Sequence, residues 1–317
     1  MSLIDTQNSL VIDVTYNCNA KCVYCKWGHN ATKRRTNQSD NYIFITKKYL
    51  QHLNIERIVF SGGEPLLRKD LNSIISYYKE HNVKSIIVIT NGILLNEKML
   101  KRIVNAGVTG ITFSIDSFDN KTAFETRAYT NSQINKIKSN FIKVASLKQK
   151  YNLELGINTV ISSANIQNNQ LEKLIEYVNN FPIDWIKFQP IFEDNFVKKN
   201  ASHLLLSSKY SKLVRETGKR ILDISKMETN NINFWNSLSD ILSGKKLDGA
   251  TCGLDTRQAI AQNGKIKICS WINFPTYEIT NEPIKKTQQK FLKVKQKCKT
   301  GTHCFCLQNL KQTWKTI

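Results

Sequence analysis

The stretch Leu10-Val11-Ile12-Asp13-Val14-Thr15-Tyr16-Asn17-Cys18-Asn19-Ala20-Lys21-Cys22-Val23-Tyr24-Cys25 decides how the rest of the chain is read. It opens as a short apolar run of strand type and ends in three cysteines spaced so that one loop can hold three corners of an iron-sulfur cube. A 4Fe-4S cluster takes four ligands, and Cys thiolates are its usual ones. Three thiolates leave one iron open. An open iron can chelate a small molecule through amino and carboxylate groups and pass it an electron. The triplet alone also fits a structural zinc site, because His29 lies four residues beyond Cys25 and three Cys with one His close a tetrahedron.

Beyond this loop, β-branched runs alternate with helical patterns as far as about residue 191, which predicts successive βα units and a parallel sheet rather than hairpins. Six strands are expected, at 10–15, 57–61, 85–90, 110–116, 153–161 and 184–191. Leu71, Ile74, Ile75 and Tyr78 mark one apolar helical stripe between them, and Leu171, Leu174, Ile175 and Val178 mark another. Six units are too few to close an eight-stranded barrel. They can form an open α/β partial barrel, (β/α)6, with its ligand site at the carboxyl ends of the strands.

Those strand ends carry polar groups. Ser61-Gly62-Gly63-Glu64-Pro65 follows the second strand, where two glycines let a ligand approach the backbone and a carboxylate can receive an ammonium. Thr90-Asn91-Gly92 ends the third strand and Ser114-Ile115-Asp116-Ser117 the fourth, while the fifth carries Gly156 and Asn158. At the opposite ends of parallel strands such residues would only stabilise turns.

Over about residues 9 to 195 these motifs resemble the radical S-adenosylmethionine (radical SAM) enzymes, whose signature is Cys-x3-Cys-x2-Cys with an aromatic, here Tyr24, before the last Cys. The resemblance implies that Cys18, Cys22 and Cys25 hold a 4Fe-4S cluster that reduces the sulfonium of bound SAM. A 5'-deoxyadenosyl radical then takes hydrogen from the substrate. It implies that Gly62, Gly63 and Glu64 bind the amino group of SAM's methionine moiety. Asn91, Ser114, Asp116 and Asn158 would contact its ribose, carboxylate or adenine, and Arg127 matches an Arg often found after the fourth strand. With these matches in place, the cluster reading displaces zinc at the triplet.

A second cysteine group lies at the far end of the chain: Cys252, Cys269, Cys298, Cys304 and Cys306. Asn263-Gly264 between the first two reads as a tight hairpin turn that would bring Cys252 and Cys269 together. The arrangement is similar to the SPASM and twitch extensions of radical SAM enzymes, and implies one auxiliary 4Fe-4S cluster held by Cys252, Cys269 and two of the last trio. The fifth thiol is left over, and four thiolates would suit zinc as well. The expected organisation is a barrel core over 1–202, a helical linker over 203–245 and a cysteine-rich cluster domain over 246–317 that covers the barrel mouth.

With 41% hydrophobic residues over 317 positions the chain can bury a substantial core. It lacks an eighteen-residue apolar window and a basic-then-apolar N-terminus, so neither a membrane span nor a secretory signal is expected, and the expected location is cytosolic. Eight Cys clustered at the two ends suit metal ligation better than disulfides in that compartment. The formal charge is +21, with seven Lys and no acid between Lys285 and Lys299. Such a field attracts acidic partners, among them an electron donor of flavodoxin or ferredoxin type.

The leading expectation for function is modification of a ribosomally made peptide by crosslinking or epimerisation. Against it, the barrel begins near residue 9, with no leader-recognition domain before it. The alternatives are a dehydrogenase or epimerase of a small molecule such as an aminocyclitol or sugar, and modification of a nucleotide or RNA. The last would explain the Lys run, but no RNA-binding module stands out. Molybdopterin-precursor cyclases share the core yet end in Gly-Gly, whereas this sequence ends Lys315-Thr316-Ile317.

Overall fold

The computed structural model describes residues 9–29, 55–191 and 193–245, together with the backbone of 258–262, 265–267 and 277–278. Six parallel strands lie side by side in chain order: β1 (Ser9–Thr15), β2 (Arg57–Gly62), β3 (Ser85–Thr90), β4 (Gly110–Ser114), β5 (Glu154–Ile161) and β6 (Trp185–Pro190). They match the six expected strands to within two residues at each end. Helices α1 (Leu71–Glu80), α2 (Glu97–Ala106), α3 (Asn120–Arg127), α4 (Asn131–Tyr151) and α5 (Gln170–Val178) fill the crossovers. Parallel neighbours need such crossovers, and their common hand wraps the helices around one side of the sheet. The result is an open α/β partial barrel.

Alternation along the strands divides the two faces. In β1, Leu10, Ile12 and Val14 are fully buried against the helices, whereas Ser9, Val11 and Asp13 face the concave side. The helices answer with the expected stripes, and Leu71, Ile74, Ile75 and Tyr78 of α1 and Leu171, Leu174, Ile175 and Val178 of α5 are all buried. Asn96 caps α2 by accepting from Met99 N, and Gly107 ends that helix at φ +125°.

Residues 203–245 do more than connect. After the short helix α6 (Asn195–Asn200), helices α7 (Ser211–Ile224) and α8 (Ile232–Leu242) add Val214, Ile221, Phe234, Trp235 and Leu238 to the core of the barrel itself. Trp235 packs 5.2 Å from Phe188 of β6 and lies over Gly218, so closely that a Cβ there would stand 2.1 Å from the indole ring. The stretch read from sequence as a linker is therefore a packed layer. Its turn also closes the outer edge of β6: Ile186 N donates to Glu228 O at 2.9 Å, and the Asn230 side chain bonds Phe188 N and O like a strand backbone.

The other edge is met by the C-terminal segment. β7 (Gln258–Gln262) pairs parallel to β1, β8 (Lys265–Lys267) returns antiparallel with Lys265 opposite Gln262, and β9 (Tyr277–Glu278) pairs antiparallel to β8. This pairing is the one the Asn263-Gly264 turn signal leads to. Cys252, Cys269, Cys298, Cys304 and Cys306 lie outside the described residues, as does the expected cover of the barrel mouth. Among the described residues no helix is long and apolar enough to cross a membrane.

Gly218→Ala should lower stability by about 1–3 kcal/mol, because the glycine and Trp235 are both buried and the extra methyl has no room. Denaturant titration of the two proteins measures it, and equal midpoints would place α8 differently.

Candidate functional site

β1 runs directly into the cysteine loop, and the loop after β2 grips it. Gly63 N donates to Thr15 O at 2.7 Å and Glu64 N to Asn17 O at 2.8 Å, so the two strand ends continue to bond where regular pairing stops. Contact this close requires glycine: a Cβ on Gly62, which sits at φ +121°, would stand 2.3 Å from Thr15 O, and one on Gly63 2.2 Å from Asn17 O. The same loop is tied to α3 by Val23 N donating to Thr126 O at 3.0 Å, and Tyr16 stacks on Trp27 at 4.5 Å. His29 Nε2 lies 3.2 Å from Cys22 O, and its ring packs on Phe196. The imidazole thus braces the loop instead of joining the thiols, which removes the ligand that the zinc reading needed.

Cys18, Cys22 and Cys25 are free thiols that line a cleft of about 900 Å³ on the concave face. Burial pushes Cys18 up to about 11 and Cys22 up to about 12, and Cys25 also upward. Thiolates here need positive charge beside them, which a metal cluster supplies. Among the described residues no three His, Cys, Asp or Glu stand close enough for a single ion. A cubane spreads its ligands over separate corners, so a cleft-facing trio of thiols fits it.

The sequence-derived site residues divide into two groups. Gly62, Gly63, Asn91, Ser114 and Asn158 line the cleft, with Ser114 and Asn158 side by side across β4 and β5. Asn91 donates through Nδ2 to Asn19 Oδ1 at 2.8 Å and approaches Cys18 Sγ at 3.8 Å. Glu64 and Asp116, in contrast, are turned inward and wholly buried. The Glu64 carboxylate accepts from Leu66 N at 3.1 Å, Thr90 Oγ1 at 2.8 Å and Asn91 N at 2.8 Å. It joins the end of β2 to the end of β3. Asp116 accepts both Nε and Nη2 of Arg127, at 2.8 and 2.7 Å, along with the Tyr24 hydroxyl and Val160 N. Tyr24 lines the cleft with its ring while its hydroxyl is held by this carboxylate.

Sequence reasoning did not find the floor of the cleft. Arg57 Nη2 reaches across to Glu154 Oε1 at 2.8 Å, and Trp185 Nε1 donates to the same oxygen at 2.8 Å, above a Gly156 whose Cβ would strike the indole at 2.2 Å. A signal existed, since Arg57 shares its face of β2 with Val59 and Ser61.

The sequence matches the radical SAM superfamily over residues 12–178. The chain belongs to that superfamily. It is 30% identical over 244 residues to a GTP 3',8-cyclase of Clostridium botulinum, covering 73% of this chain and 74% of the relative. Among solved structures it is similar to Streptococcus suis SuiB bound to S-adenosylmethionine, at a TM-score of 0.65 and 15% identity, over 89% of this chain and 65% of SuiB. It is likewise similar to native anSMEcpe with bound AdoMet, at 0.65 and 18%, over 98% of this chain and 91% of anSMEcpe. Radical SAM enzymes use a 4Fe-4S cluster and SAM, and both neighbours hold SAM.

Burial pushes the Glu64 carboxyl from 4.5 up to about 7. The folded radical SAM core thus keeps this proton where the unfolded chain releases it, and its stability falls as pH rises from about 4.5 to 7, by roughly 3 kcal/mol in all. Glu64→Gln carries no titrating group there. Comparing denaturant midpoints of the metal-free proteins from pH 4 to 8 should show the wild-type advantage shrinking across this window, whereas a constant gap would contradict the burial.

Proposed function

We propose that this chain modifies a ribosomally made peptide by radical SAM chemistry, as an oxidoreductase or isomerase that begins by abstracting hydrogen. The chemistry supplied by a cluster at Cys18, Cys22 and Cys25 is one-electron reduction of SAM's sulfonium, which gives methionine and a 5'-deoxyadenosyl radical. The chain's own groups bind and orient. The Gly62-Gly63 backbone and Asn91, which line the cleft with Cys18, would hold SAM's methionine end, and Ser114 and Asn158, side by side on β4 and β5, would meet its nucleoside. Glu64 and Asp116 act from behind these residues as positioning groups.

One observation carries the choice of substrate. Each cation lining the cleft among the described residues is already held by a carboxylate: Lys26 by Asp194 at 3.5 Å, Arg57 by Glu154, Arg127 by Asp116, and Lys187 by Glu228. A triphosphate would have to compete with these carboxylates, at a cost of several kcal/mol at the buried Arg127–Asp116 pair and much less at the three partly exposed ones. A charge-compensated cleft suits a peptide segment. SuiB and anSMEcpe, which share the fold, have each been solved with a peptide bound. Nucleotide modification is the second reading, favoured by the 30% identity to the clostridial GTP 3',8-cyclase.

The proposal extends to the C-terminal region. Residues 246–317 form a SPASM- or twitch-like domain with one auxiliary 4Fe-4S cluster on four of Cys252, Cys269, Cys298, Cys304 and Cys306, and the electron donor is an acidic flavodoxin or ferredoxin. The β7–β8 hairpin beside β1 supports a C-terminal domain that begins at the barrel edge.

Anaerobic reconstitution should give about eight irons per chain. The reduced protein should then form 5'-deoxyadenosine faster with a ribosomal precursor peptide, sought among small open reading frames beside its gene, than with GTP, and Cys22→Ala should form none. Stimulation by GTP alone would replace the peptide reading with the nucleotide one.

A further inference from the structure

The buried assembly of Tyr24, Asp116 and Arg127 lies behind the cysteine loop and is more elaborate than loop anchoring requires. Asp116 sits two residues beyond the end of β4 with no side-chain exposure, and Arg127, the last residue of α3, has a side chain 8% exposed. Nε and Nη2 of the guanidinium are committed to the two oxygens of that one carboxylate. This fork fixes the plane of the group, because a bidentate pair sets orientation as well as distance. The remaining nitrogen, Nη1, is thereby aimed at Cys22 Sγ, 3.9 Å away. Tyr24, on the same loop one residue before Cys25, donates its hydroxyl to Asp116 Oδ2, and its ring lies 5.9 Å from the guanidinium carbon.

Three elements therefore meet on one carboxylate. Val160 N of β5 completes the set at 2.9 Å. Arg127 Nη1 is the charged group that meets the Cys22 sulfur, and Asp116 stands behind it on the far side of the guanidinium it holds. The orientation is polar: the cation faces the thiol and the anion faces the barrel wall. Cys22 is buried to 9% exposure, so water screens this oriented pair less than it would at the surface.

We propose that Asp116 and Arg127 form an oriented ion pair that sets the reduction potential of the cluster held by Cys22, with Arg127 favouring the electron-rich reduced state and Asp116 opposing it while aiming the guanidinium. Hydrogen bonds to cluster sulfurs and nearby charge are recognised determinants of such potentials. The pair tunes how readily the cluster accepts one electron from an external reductant, and it is a positioning device, with two guanidinium nitrogens committed to Asp116 and the third aimed at Cys22. The inference rests on the radical SAM reading of the triplet.

The test is an EPR-monitored redox titration of the reconstituted full chain with dithionite, following the signal that changes when SAM is added. Arg127→Met should make that potential more negative. Asp116→Asn, which keeps the size and one acceptor oxygen but removes the negative charge, should make it more positive, and Arg127→Lys should fall between wild type and Arg127→Met. Iron content measured alongside confirms that each variant holds its cluster. Opposite signs for Met at 127 and Asn at 116 are the signature of charge. Shifts of the same sign, or unchanged potentials in variants with full iron content, would overturn the proposal and reduce the pair to a brace. A wild-type chain that assembles no SAM-responsive cluster would overturn the radical SAM reading with it.

Discussion

Two backbone hydrogen bonds, Gly63 N to Thr15 O and Glu64 N to Asn17 O, hold the site together. They extend the β1–β2 ladder past its regular end and fasten the cysteine loop to the loop that follows β2. Everything the cleft does depends on those loops keeping one separation. The glycines are required by this contact before any ligand is considered, since a side chain at either would overlap a carbonyl of the cysteine loop. A single backbone arrangement thus holds the cysteine loop and keeps the Gly62-Gly63 backbone on the cleft that the thiols line.

Around that contact the fold places charge with care. The two carboxylates nearest the loop ends, Glu64 and Asp116, are both removed from water and both fully hydrogen-bonded. Buried carboxylates of this kind are costly unless satisfied, and in return they hold a geometry that surface groups would not. Glu64 ties β2 to β3, and Asp116 ties β4 to the cysteine loop, α3 and β5. The floor pair Arg57 and Glu154 does the same across the barrel interior. The open sheet is therefore cross-braced at its top and at its base.

Much of this was legible in the amino-acid sequence. The six strands and the two helical stripes are visible because a buried parallel strand must be β-branched on the face it turns to the helices, and a covering helix must repeat its apolar residues every three to four positions. The triplet and the Gly62-Gly63-Glu64 segment are visible because each sits at a strand end. The direction of a side chain is harder to read. Whether Glu64 faces the cleft or the wall is decided by Thr90 and Asn91, and whether Asp116 does is decided by Arg127, Tyr24 and Val160. Those partners converge only after the crossovers have formed. The packing of α7 and α8 was hidden for a similar reason: its key contact is a glycine, Gly218, against Trp235, and an isolated glycine in a helical pattern reads as weakness rather than as a socket.

The central claim is that the cysteine loop presents a cluster with one open corner to a cosubstrate resting on the Gly62-Gly63 backbone. Pulsed EPR of the reduced protein with SAM labelled in its methionine amino nitrogen and carboxylate carbon tests this directly. The account predicts hyperfine coupling of both labels to the cluster spin. A SAM-saturated sample in which neither label couples would contradict it.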